Sequence, residues 1–261
     1  MADKFAIITG ASTGIGFELA TLAAKDGYDI LVVADEALID AAAQDFKQFG
    51  TDVQSLQADL STIEGVDQLL AATNGRTIDL VCANAGRGLG KAFLDQDLAE
   101  WRKVVDTNVI GTAYLLQKTL PPMVARNAGK VLVTGSIAGY IPGAFQAVYN
   151  GTKSFVDSFV AAIQNEIKDA DGVTLTNLMP GPVDTEFFDR AHMMDTDVGT
   201  DPKKSDPADV AKDGWDALMS GKAAVVSGWK NKVQSAIANV TPNAVLAEMH
   251  RKMAEPGTAN D

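Results

Sequence analysis

Tyr149 and Lys153 stand four residues apart in Tyr149-Asn150-Gly151-Thr152-Lys153, and Ser136 lies thirteen residues upstream of the tyrosine. On a helix this spacing puts both side chains on one face, one turn apart. A free phenol titrates near 10 and is a poor acid–base catalyst at neutral pH. An ammonium about 5 Å away, at an effective dielectric near 20, is worth roughly 3 kcal/mol, or about two pKa units. The pair therefore predicts a phenol drawn down toward the range where proton transfer is efficient. A second element, Thr9-Gly10-Ala11-Ser12-Thr13-Gly14-Ile15-Gly16, follows directly on an apolar run. Glycines there allow a tight turn and close approach to pyrophosphate, and the helix that follows offers unpaired N–H groups to phosphate. A phosphate cradle and a proton donor beside a cation together describe hydride transfer between a nicotinamide cofactor and a carbonyl or alcohol.

These residues must be held by regular elements. Short apolar runs at Phe5–Ile8, Ile30–Val33, Val53–Leu56, Ile78–Cys82, Lys130–Val133 and Val173–Leu178, with a weaker one at Ala223–Val226, alternate with helical patterns. The helices are expected over Gly14–Lys25, Glu36–Phe49, Thr62–Ala72, Leu98–Lys118, Val148–Lys168 and Pro207–Met219. Strands apolar on both faces and separated by helices predict a parallel α/β sheet of about seven strands, doubly wound and Rossmann-type, with helices on both faces. No linker or repeat divides residues 1–261, so a single domain is expected. The aspartate-rich stretch from Asp195 to Pro207 reads as a long loop. Gly10–Gly14 also fits the G-x-S-x-G elbow of a hydrolase. That elbow normally follows several strands, whereas only nine residues precede Gly10, and its triad would need His192 or His250, in a loop or the tail.

The 261 residues include 46% hydrophobic ones, enough for a sizeable core, and the net charge of −12 opposes binding to nucleic acid or anionic membranes. Cys82 is alone, which excludes a disulfide framework and fits a small buried residue. With two histidines at no ligand spacing, no metal site is expected. The absence of a leader pattern and of a long apolar stretch favours a cytoplasmic protein with no membrane span.

Thr9-Gly10-x-x-x-Gly14-Ile15-Gly16, Asp59-Leu60, Ala83-Asn84-Ala85-Gly86, Asn108-Val109-Ile110-Gly111, Ser136, Tyr149-x-x-x-Lys153 and Pro180-Gly181-Pro182-Val183-Asp184-Thr185 occur in this order. On these pieces the chain resembles the short-chain dehydrogenase/reductase family, in its single-domain branch, over nearly its whole length. It departs at Ala83, where an asparagine is common, and at Gly151-Thr152, where Ala-Ser is frequent. The resemblance implies an NAD(P)-dependent oxidoreductase acting on a secondary alcohol or ketone. Tyr149 would exchange a proton with the substrate oxygen, Lys153 would hold the nicotinamide ribose, and Ser136 would stabilise charge on that oxygen. Asn108 would hold a water in a proton relay. Gly10, Ser12, Thr13, Gly14, Ile15 and Gly16 would cradle the pyrophosphate. Asp59 and Leu60 would face the adenine, and Asn84, Ala85 and Gly86 would line the cleft. Val183 and Thr185 would secure the carboxamide, with Pro180 and Gly181 also at the cofactor.

The second strand ends in Val33-Ala34-Asp35-Glu36, with no Lys or Arg adjacent in sequence, and position 13 is Thr. A 2′-phosphate facing two carboxylates would lose roughly 1–3 kcal/mol, about 5- to 150-fold. NAD is therefore expected over NADP, with Asp35 reading the ribose. NAD-preferring relatives usually carry the acid one position earlier, where this chain has Ala34.

Residues 186–207, which include Phe187, Phe188, Met193 and Met194, are expected to close over a mainly apolar substrate. Gly88-Leu89 and Gly143-Ala144-Phe145 are expected to form other walls. A helical tail over residues 230–255 carries Val233, Ile237, Val240, Val245, Leu246, Met249 and Met253 and needs a partner surface, on this chain or another copy. In relatives the two long helices build a subunit interface, so a homodimer or homotetramer is expected. Two rival functions fit the same motifs. One is a nucleotide-sensing protein without turnover, against which Asn108, Ser136, Tyr149 and Lys153 are all retained. The other is a carrier-protein ketoacyl reductase, for which the sequence shows no basic docking patch near the entrance motifs.

Overall fold

A computed structural model describes residues 4–259. Its strands are β1 (Phe5–Thr9), β2 (Asp29–Ala34), β3 (Val53–Gln57), β4 (Leu80–Ala83), β5 (Gly129–Thr134), β6 (Val173–Met179) and β7 (Ala224–Val226). All pair in parallel in the order β3-β2-β1-β4-β5-β6-β7. The chain winds outward one way from β1 to β3, then returns to β4 on the other side. The resulting crevice lies at the carboxyl ends of β1 and β4, where open sheets of this kind bind ligands.

The helices are α1 (Gly14–Lys25), α2 (Leu38–Phe46), α3 (Ile63–Ala72), α4 (Leu98–Val105), α5 (Thr112–Ala125), α6 (Ala147–Glu166), α7 (Phe187–Arg190), α8 (Asp197–Thr200), α9 (Pro207–Met219), α10 (Trp229–Ala238) and α11 (Asn243–Ala254). Local chemistry sets several starts. Thr62 accepts a hydrogen bond from the Gly65 N–H at 2.9 Å, and Asp206 accepts one from Ala208 at 2.8 Å ahead of Pro207. The period of two in β1 divides the core. Ala6 and Ile8 join Leu19, Phe46 and Trp215 on one face, whereas Phe5 and Ile7 join Leu69, Leu116 and Val160 on the other.

Two elements differ from the sequence expectation. The helix expected over Leu98–Lys118 is interrupted by a π-helical turn at Asp106–Gly111, and its second part runs on to Ala125. Gly111 there lies so close to the Leu60 carbonyl that a Cβ would overlap it. The side chain of Asn108 meanwhile reaches out to two other elements, so tertiary contacts reset the helix ladder. The loop expected from Asp195 to Pro207 is instead partly regular. Thr196 caps α8 by accepting the Gly199 N–H at 3.1 Å, and Ser205 forms a parallel bridge with Val183. Among the described residues, no helix is long and apolar enough to cross a membrane.

Candidate active site

A cavity of about 690 Å³ opens along the carboxyl ends of the strands. Its floor is the turn from β1 into α1. Gly10 and Gly14 have φ of 66° and 59°, a region open to glycine and costly for other residues. Side chains are also excluded by space. A Cβ on Gly14 would come 2.8 Å from the Thr185 methyl, and one on Gly16 would overlap the Gly10 carbonyl oxygen. Thr13, extended at the helix N-cap, makes no side-chain cap, so the first-turn N–H groups of α1 stay available to an anion. Cavity size, bare backbone and uncapped helix end all fit a dinucleotide.

Every residue expected in the site lines this cavity except Gly16 and Asn108. Gly16 lets α1 lie against β1. Asn108 is buried, and both ends of its side chain are hydrogen-bonded. Oδ1 accepts from the Arg87 N–H at 2.8 Å, while Nδ2 donates to the Arg87 carbonyl and to Thr152 Oγ1, each at 2.9 Å. Asn84 is likewise a clamp as well as a cleft residue. Its Oδ1 accepts from Thr134 Oγ1 at 2.9 Å, and its Nδ2 donates to the Thr9 carbonyl at 3.2 Å, tying β1, β4 and β5 together.

Tyr149 and Lys153 come from the first two turns of α6 and share the cavity with Ser136, which follows β5. Lys153 Nζ donates to the Thr134 carbonyl at 2.8 Å and stands 5.9 Å from the centre of the Tyr149 ring. A Cβ on Gly86 would stand 3.4 Å from Asn108 Oδ1 and 3.6 Å from Lys153 Nζ, so these three motifs converge. The expected fall in the tyrosine pKa does not occur. Burial pushes the phenol up to about 12, against a hydrogen bond with Ser136, and the Asp157 carboxylate adds to the rise. Burial also drives Lys153 down to about 8, which Asp157 opposes. Removal of the phenol from water dominates, while the ammonium is tied to the Thr134 carbonyl and stands 5.9 Å from the ring centre.

Sequence reasoning passed over Asp157, one turn beyond Lys153. Its Oδ1 accepts from Asn177 Nδ2 at 2.8 Å, and the backbone N–H of Ser136 also donates to the carboxyl. Oδ2 has no hydrogen-bond partner among the described residues. Burial pushes this carboxyl up to about 6 from 3.8, against the Asn177 hydrogen bond and the Lys153 charge. The folded protein thus holds the proton more tightly than the unfolded chain. Below the unfolded value both states carry it. As pH rises from about 4 to about 6 the unfolded chain ionises first, and folding loses about 3 kcal/mol. Asp157→Asn should therefore gain stability relative to the wild type as pH rises through that window. Melting temperatures of both proteins from about pH 4 to pH 8 check this. A difference between them that did not change with pH would contradict it.

At the end of β2 the structure supplies the cations that the local sequence lacks. Arg87, directly after Gly86, forms a salt bridge with Asp35. Lys103 of α4 lies 3.1 Å from Asp59 and 4.0 Å from Asp35. Partial burial raises the Asp59 pKa, but hydrogen bonds from Ser61 and Lys103 prevail and hold it below the usual carboxylate value. Glu36 accepts from Ser12 Oγ at 2.5 Å and from Arg190 at 3.0 Å, which ties residues 186–207 to the cradle. No periodicity could have revealed these pairs, because the partners lie between 24 and 154 residues apart. The only sequence signal was an arginine placed at the end of the Asn84-Ala85-Gly86 motif.

Residues 186–207 divide between two uses. Phe187 faces the cavity, 5.1 Å from the Tyr149 ring and packed against Gly88. Phe188 also lines the cavity and packs with Met193 and Ala254 of α11 in a small core, and Met194 is exposed. The expected walls also change. Gly88 lines the cavity, but Leu89 is buried behind it, and from the 143–146 turn only Gln146 lines the cavity. In the tail, Leu246 is buried and Met253 lines the cavity, whereas Val233, Ile237, Val240, Val245 and Met249 are exposed.

The short chain dehydrogenase family model fits residues 4–195. An uncharacterized oxidoreductase of Staphylococcus saprophyticus is 32% identical over 218 residues, 81% of this chain and 89% of that one. A short-chain dehydrogenase from Sphingobium yanoikuyae, solved with NADPH, superposes with a TM-score of 0.80 at 23% identity, covering 92% of this chain and 96% of that one. One from Burkholderia phymatum, solved with NAD, gives 0.81 at 22% identity, covering 89% and 92%. With the family model matching most of the chain and a curated relative 32% identical over most of both lengths, this chain belongs to the short-chain dehydrogenase/reductase family of oxidoreductases.

Proposed function

We propose that the protein interconverts a secondary alcohol and a ketone, with a nicotinamide dinucleotide laid along the strand ends and Tyr149 as the acid–base group. The observation that carries this is the convergence of Ser136, Tyr149 and Lys153 with the glycine cradle in one cavity. The bound dinucleotide supplies or accepts the hydride. Tyr149, with its pKa near 12, stays protonated at neutral pH and so is ready to donate when a carbonyl is reduced. Transfer from such a phenol to an alkoxide, a far stronger base, runs downhill. Ser136 hydrogen-bonds the same oxygen and stabilises charge as it develops. Lys153, with a pKa near 8, is mainly charged at neutral pH and holds the ribose hydroxyls next to the reacting ring. Asn108 acts on Arg87 and α6 from behind, as a positioning residue.

Residues 4–259 act in this reading as one unit, with 186–207 as the lid and 230–255 closing the substrate end. Exposed Leu98, Ile110 and Phe155 on α4, the π-helical turn and α6 support a homodimer or homotetramer, and a monomeric mass in solution would remove that part. The decisive screen follows nicotinamide absorbance with ketones, alcohols and keto-sugars in the presence of each cofactor. Turnover is expected. Tight dinucleotide binding without turnover of any substrate would favour a nucleotide-sensing protein.

NAD remains the favoured cofactor because Asp35 and Glu36 stand at the ribose end. The Arg87 pairing supports weaker discrimination than two free carboxylates would give. Asp35→Arg should move the kcat/KM ratio toward NADP, and Arg87→Ala should move it toward NAD, each by roughly 5- to 150-fold. Ratios unchanged in both variants would show that this pair does not read the ribose.

A further inference from the structure

His250 lies on α11, beyond the stretch that matches the family model, yet it lines the same cavity as Tyr149 and Phe187. The side chain is only 6% exposed. Its Nδ1 sits 2.8 Å from the Ala144 carbonyl oxygen. A carbonyl can only accept, so Nδ1 carries the hydrogen and, in the neutral ring, Nε2 carries the lone pair. Burial lowers the imidazole pKa, against the Ala144 bond, which favours that neutral ring at physiological pH. Among the described residues the hydrogen bond to Ala144 is made through Nδ1, and none is formed by Nε2. The structure therefore fixes both tautomer and orientation, and leaves one acceptor over.

Gln146 supplies a second observation. It follows the same turn as Ala144, lines the same cavity and is 5% exposed. Its Nε2 is buried without an acceptor among the described residues. Buried polar groups are rarely left unpaired, and a small turn of Gln146 toward the cavity would let a ligand pair it beside the open nitrogen of His250. Phe187, Trp229 and Met253 add apolar surface to the same cavity.

We propose that His250 Nε2 is a substrate-recognition acceptor, and that the substrate is a mainly apolar ketone or secondary alcohol bearing a second hydroxyl away from the reacting carbon. A hydroxyl can donate to His250 and accept from Gln146, whereas a carboxylate has no proton to offer the imidazole. This inference rests on the oxidoreductase reading above and names the substrate class within it.

The test compares kcat/KM for pairs of ketones that differ only by one hydroxyl, set at increasing distance from the carbonyl. The wild type should prefer at least one hydroxylated partner by about 10- to 100-fold, the factor expected when a buried acceptor is left unpaired. His250→Phe, which lacks the acceptor, should bring that ratio close to one. His250→Asn can still donate to the Ala144 carbonyl but ends short of the Nε2 position, and it should lose the ratio as well. It also keeps the test decisive if the phenylalanine variant does not fold. Plain ketones turned over as well as every hydroxylated partner would overturn the inference and leave the oxidoreductase reading standing. A preference that survived in both variants would overturn it too. If no ketone of either kind were turned over, the oxidoreductase reading would fail and this inference with it.

Discussion

Tyr149→Phe should reduce turnover by about 10²- to 10⁴-fold, the usual contribution of a positioned proton donor. The substitution removes one oxygen and keeps the ring that packs 5.1 Å from Phe187, so fold and lid contacts should survive. Lys153 is held by the Thr134 carbonyl at 2.8 Å, not by the phenol oxygen, and should not move. Dinucleotide affinity should then change little while kcat falls, the pattern of a group that acts in the transition state. Fluorescence titration with reduced dinucleotide, beside steady-state kinetics, separates the two. Activity near that of the wild type would remove Tyr149 from the chemistry.

Gly16→Ala should be the most damaging single-carbon change in the cradle. The added Cβ would overlap the Gly10 carbonyl oxygen and come 2.6 Å from Asn84 Nδ2. One of these is backbone, and the other is an amide already bonded to β1 and β5. Neither can give way without parting α1 from β1. Overpacking of this kind costs about 1–3 kcal/mol, which for a chain of this size lowers the melting temperature by roughly 2–12 °C. Dinucleotide affinity should fall by at least about tenfold, because the helix end that meets the phosphates moves with α1. Gly151→Ala is the matched control. Nothing lies within 4 Å of its Cβ position on α6, so the same change there should stabilise by about 0.5–1 kcal/mol. A Gly16→Ala protein that melted and bound dinucleotide like the wild type would show that the close approach is not required.

The ends of β2 and α6 show where reading the chain as a string breaks down. At β2, Val33-Ala34-Asp35-Glu36 reads as an uncompensated acidic end. In space Arg87, Lys103 and Arg190 surround it. At α6, the four-residue interval put Tyr149 and Lys153 on one face, which lines the cavity, but the phenol's proton affinity went the other way because it is desolvated. The tail gives the same lesson. His250 has little to distinguish it in sequence and becomes a cavity residue only because α11 folds back over the 143–146 turn.

Periodicity and glycine placement by themselves determined the seven parallel strands and the bounds of α1 and α9, whereas the meeting of cradle and Tyr149 at the strand ends was implied by the family resemblance. The strands and helix bounds follow from short-range sterics and from hydrophobic burial, both of which leave a pattern along the chain. Ion-pair partners, proton affinities, the π-helical turn and the free acceptor of His250 were decided only by the tertiary structure. They depend on distance through space and on exclusion of water, and neither quantity is written in the spacing of residues along the chain.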